Sequence, residues 1–93
     1  MVKAGSSKEI VDRVRARLLA LEQAPTPDTP LGDIEWLRLR CEDTLGRYGD
    51  DEYWYSLSLR QLKKDVTAFH DGYPGLLDPG LVAALEAVPV RAY

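Results

Sequence analysis

The chain has 93 residues, 45% of them hydrophobic and 29% charged, with a net charge of −3. That length holds one core and no second, the composition excludes a disordered chain, and no segment approaches the length needed to span a bilayer. A lone cysteine, Cys41, rules out an intrachain disulfide and a four-cysteine zinc site, which suits a reducing compartment.

We therefore expect a single domain over residues 1–93. MVKAGSSKEI has no apolar run like that of a secretory signal, so the expected location is the cytoplasm. Charge is unevenly spread. In residues 1–21 five cations against two acids leave +3, and in residues 22–52 nine acids against three arginines leave −6. The sequence has a basic start and an acidic middle.

The first predicted helix opens at Ser6, where Glu9 stands at capping-box spacing, and runs over about 6–24. Ile10, Val11, Val14, Leu18 and Leu21 fall on one face at about 100° per residue. The following run APTPDTPLG holds three prolines and reads as a stiff connector. Thr29 before Pro30 has the form of a cap followed by proline at the first helical position, so a second helix is expected over about 30–48. Its apolar stripe is Ile34, Leu37, Cys41, Leu45 and Tyr48, with Gly46 weakening the last turn and Gly49 as the stop.

DDEYWYSLSLRQ, residues 50–61, supports two readings. Ser58 and Gln61 stand at capping-box spacing, flanked by Leu57 and Leu62 at staple spacing, which places a third helix over about 58–71 with a loop at 49–57. Leu59, Leu62, Val66 and Phe69 are its buried face, and Gly72 ends it. The competing reading is a longer helix starting near Asp50, where acids favour the positive end of the helix dipole and Tyr55 falls in phase with Leu59. A strand ranks last, because the alternation is short and only VPVRAY offers a partner. Asp78 before Pro79, with Leu77 and Val82 as a hydrophobic staple, opens a fourth helix over about 78–88; Leu81, Ala84, Leu85 and Val88 give it an apolar face. The predicted fold is an all-α bundle of four helices.

The surplus aromatic groups carry the functional reading. Tyr53, Trp54 and Tyr55 follow Asp50, Asp51 and Glu52. Such rings either close the end of the bundle or anchor a binding surface whose acids orient a basic protein partner. Trp36 lies 100° or more from the helix 2 stripe, close to Arg40 and Arg47, and Leu39 is off the stripe as well. Helix 2 thus either buries two sides or uses Trp36 and Arg40 to contact another chain, a second copy included.

Catalytic and cofactor signals are weak. Cys41 lies on the buried stripe, where an inert hydrophobe is expected, and His70, near Asp65 and Asp71, reads as a surface histidine at a helix C-terminus. No glycine loop for phosphate and no calcium-loop spacing is present, so we expect no enzyme, no cofactor and no metal. Arg13 and Arg17 on helix 1 give the alternative, a nucleic-acid-binding regulator acting as a dimer, although a pI of about 5.0 is far from the usual basic footprint. Ser56-Leu57 and Ser58-Leu59, in a small acidic four-helix chain, bear an architectural similarity to acyl carrier proteins. The aspartate that precedes the serine in that family is replaced by Tyr55 or Leu57, and the serines precede the third helix rather than the second. The leading expectation is a non-catalytic adaptor, inhibitor or immunity-type factor that docks on a protein through Asp50, Asp51, Glu52, Tyr53, Trp54, Tyr55, Trp36 and Arg40.

Overall fold

The computed structural model describes residues 4–90, with only the backbone of Ala4, Gly5 and Ser6. The described residues form four helices: α1 (Ala4–Gln23), α2 (Leu31–Arg47), α3 (Glu52–Gly72) and α4 (Pro79–Glu86). No strand occurs among the described residues. Residues 91–93 of the VPVRAY segment lie outside that range.

The helix ends follow from who satisfies their unpaired N–H groups. α1 already runs at Ala4, so Ser6 lies within its first turn and is not the cap. The α2 start departs from expectation in its chemistry. Thr29 Oγ1 accepts from Thr26 N at 2.7 Å, which closes the turn before the helix, and Pro30 occupies the cap position with no side-chain acceptor. α4 follows the sequence signal closely: Asp78 accepts from Gly80 N, Pro79 occupies the first turn, and the staple residues Leu77 and Val82 are both buried.

The expected loop at 49–57 is overturned. α3 begins at Glu52, and Asp51 is its cap, accepting from Tyr53 N at 3.0 Å and Trp54 N at 3.4 Å. The connector shrinks to residues 48–51, where Gly49 takes φ +87°, a left-handed conformation that glycine adopts without a Cβ penalty. Ser58 caps nothing. Its hydroxyl instead pairs with Thr44 Oγ1 at 2.7 Å, and Gln61 reaches forward to Asp65 at 3.0 Å rather than back to Ser58. The longer-helix reading therefore holds, with Tyr55 in phase with Leu59.

Each helix is antiparallel to the one before it. Arg38 on α2 pairs with Glu22 near the end of α1 and with Glu42, while Arg15 reaches Glu42 from the middle of α1. Arg40 pairs with Asp65 and Thr44 with Ser58 across α2 and α3. α4 closes the ring by packing on both α1 and α3. Lys63 of α3 donates to the Val88 carbonyl and Thr67 to Glu86, and Arg17 of α1 donates to the Leu76 carbonyl just before α4.

The core comprises Val11, Val14 and Leu18; Ile34, Leu37 and Cys41; Tyr55, Leu59, Leu62, Val66 and Phe69; and Leu77, Val82 and Leu85. All but Tyr55 are apolar positions on the expected stripes or the staple. Ile10, Leu21, Leu45 and Tyr48 flank them half-buried, while Ala84 faces out. Thr44 is the polar member of the α2 inner face, and its hydroxyl is satisfied by the Arg40 carbonyl as well as by Ser58.

Candidate functional site

The start of α3 positions the aromatic cluster, because the helical period separates three adjacent rings onto different sides. Tyr55 turns inward. It is 8% exposed, meets Tyr48 edge-on at 5.2 Å between centroids, and bonds Ser7 of α1 at 2.8 Å. Burial pushes its phenol pKa above the ordinary value, an effect that the Ser7 bond partly offsets. Tyr55 thus belongs to the core and not to a docking surface, since the helical start at Glu52 brings it into line with Leu59.

Tyr53 and Trp54 turn outward, at 41% and 50% exposed, and pack edge-on against each other at 5.1 Å. The Arg47 guanidinium lies 6.0 Å from the Trp54 ring centre, within cation–π range, and also pairs with Asp43. Asp50 and Glu52 are exposed beside the rings. Asp51 is exposed too, but its carboxylate is engaged by two backbone N–H groups. The acidic triplet therefore divides into a structural member and two that face solvent.

Trp36 and Leu39 are 53% and 51% exposed, so α2 buries one side only and the two-sided core is excluded. Arg40 stands 5.9 Å from the Trp36 ring centre and pairs with Asp65 at 3.3 Å. Trp36, Leu39, Arg40, Asp43 and Arg47 follow one another on the outward side of α2. Trp36 and Arg47 are eleven residues apart, about 16 Å along the axis. The structure thus aligns Trp36 and Arg40 with the Arg47–Trp54 pair as two ends of one face. The sequence places Trp36 with Arg40 and Arg47, whereas the approach of Trp54 to Arg47 follows from the start of α3 at Glu52.

A cleft of about 690 Å³ at the same end of the bundle is lined by Tyr48, Asp50, Glu52, Tyr55 and Leu59, among others, together with Pro89 and Val90 from the C-terminal segment. Its walls carry the carboxylates of Asp50 and Glu52, the phenols of Tyr48 and Tyr55 and the hydroxyls of Ser7 and Ser56. Cys41 is fully buried, and burial pushes its thiol up to about 12. Nδ1 of the half-buried His70 has no hydrogen-bond partner. Among the described residues, no three His, Cys, Asp or Glu side chains converge as a metal-ligand set. None of these helices is long and apolar enough to cross a membrane.

The basic side of α1 is partly absorbed by the fold. Arg15 pairs with Asp12 and Glu42, and Arg17 is held by the Leu76 carbonyl. Lys8 and Arg13 remain exposed, without the converging cations that phosphate binding requires. No protein-family model, curated protein or solved structure matches the chain.

Proposed function

We propose that the protein is a non-catalytic binding domain that docks on a protein partner through the exposed start of α3, where Tyr53 and Trp54 stand beside Asp50 and Glu52. The observation that carries this reading is the outward placement of large rings that the core leaves over: Tyr53, Trp54 and Trp36 are each more than two-fifths exposed. Tyrosine and tryptophan bury large area with only two side-chain torsions to freeze, so rings held on a rigid helix are efficient anchors. Asp50 and Glu52 add a local negative field, which favours a partner with a basic surface and speeds its encounter. Trp36 and Arg40 provide a second contact region along α2.

The test is capture of the partner by the immobilised chain, compared with a Tyr53→Ala, Trp54→Ala variant. Truncating anchors of this kind costs about 2 kcal/mol or more each, so the double variant is expected to lose capture about a thousandfold. Equal recovery by both proteins, with the variant still folded by circular dichroism, contradicts the placement. An inhibitor or immunity-type role further predicts that binding blocks a basic groove on the partner, measurable as salt-sensitive competition with that groove's natural polyanion.

A further inference from the structure

The outward face of α2 is complementary to itself. Trp36, Arg40, Asp43 and Arg47 are spaced four, three and four residues apart, so the pairs Trp36/Arg47 and Arg40/Asp43 share one midpoint, between residues 41 and 42. A twofold axis through that midpoint, perpendicular to α2, lays a second copy antiparallel on the first. Trp36 then meets Arg47 of the second copy about 8 Å along the helix from the axis, and Arg40 meets Asp43 of the second copy about 2 Å from it. Each contact occurs twice, as an isologous interface requires.

From this geometry we infer that α2 mediates an antiparallel homodimer, with a second copy of this chain as the occupant of the Trp36 face. Charge supports the register. The order from Trp36 onward is ring, cation, anion, cation, and reversal of the order places opposite charges in contact and a guanidinium against each indole. Leu39, exposed beside Arg40, adds apolar area near the axis. Arg40 and Arg47 each hold one carboxylate within the chain and retain further N–H donors for a second. This inference goes beyond the docking reading and does not depend on the α3 site: the dimer takes up Trp36 and Arg40, which the docking reading gives to the protein partner as a second contact region, and leaves Asp50, Glu52 and Tyr53 at the outer ends.

The test uses charge exchange. Sedimentation of the wild-type chain from micromolar to sub-millimolar concentration is expected to show a monomer–dimer equilibrium. Arg40→Asp and Asp43→Arg are each expected to weaken it by more than about tenfold, because each sets like charges opposite one another twice. An equimolar mixture of the two variants is expected to dimerise again, since one chain then presents two acids and the other two cations. Trp36→Ala, at a position 53% exposed and outside the core cluster, is expected to weaken the dimer without lowering the melting temperature. It decides the matter if a reversal variant fails to fold. A wild-type chain that stays monomeric throughout overturns the inference and leaves the α2 face to a different protein. So does a mixture of folded variants that stays monomeric, or a dimer indifferent to Trp36→Ala.

Discussion

Cys41 and Tyr55 show how a single side chain is assigned by what surrounds it. Cys41 occupies the inner side of α2 with no exposure, and its thiol is raised to about 12, chiefly by burial, against 9.0 without such an environment. The folded state therefore keeps a proton that the unfolded chain releases. The contribution of this group to stability is complete below pH 9, falls as pH rises and is lost on passing about 12. Tyr55 acts in the same direction, because burial raises its phenol from 10.0. We predict that chemical-denaturation midpoints fall with pH above 9, that Cys41→Ala flattens this dependence once its own lower baseline is subtracted, and that the native thiol resists disulfide-exchange reagents until denaturant is added. The inert character of Cys41 was legible from its place on the stripe. That of Tyr55 was not, because its direction depends on where the helix starts.

At the scale of helices, the apolar stripes carried most of the information and the caps carried less. Val11, Val14 and Leu18, then Ile34 and Leu37, then Leu59, Leu62, Val66 and Phe69 are all buried as their spacing demands. Asp78–Pro79 marks a real start for the same reason that Asp51 does: a carboxylate with no competing partner lies within reach of free N–H groups. Thr29 and Ser58 carry similar local signals, yet their hydroxyls are taken by Thr26 N and by Thr44, partners that a short-range pattern does not reveal. This difference yields a direct comparison. Asp51→Ala is expected to cost about 1 kcal/mol, roughly 4–8 °C in melting temperature for a domain of this size. Ser58→Ala is expected to leave helix content in far-ultraviolet circular dichroism unchanged, because α3 starts two turns earlier. Loss of helix in Ser58→Ala with none of the stability loss in Asp51→Ala would return the start to Ser58.

For the molecule as a whole, four antiparallel helices enclose one core, and the surplus aromatic area collects along α2 and the start of α3. The placement of Trp36 off its stripe was visible in the sequence. Its place on one side with Arg40 and Arg47 was visible too, but the approach of Trp54 to Arg47 required the three-dimensional pairing of α2 with α3 through Arg40–Asp65 and Thr44–Ser58. The docking and self-pairing proposals both rest on these rings being left over by the core. The most direct measurement is collisional quenching of fluorescence in two single-tryptophan proteins, Trp36→Phe and Trp54→Phe, at dilution below any self-association. Quenching of both remaining indoles, at a substantial fraction of the rate for free tryptophan, is the predicted result. Shielding of either indole in the dilute, folded chain would contradict the account.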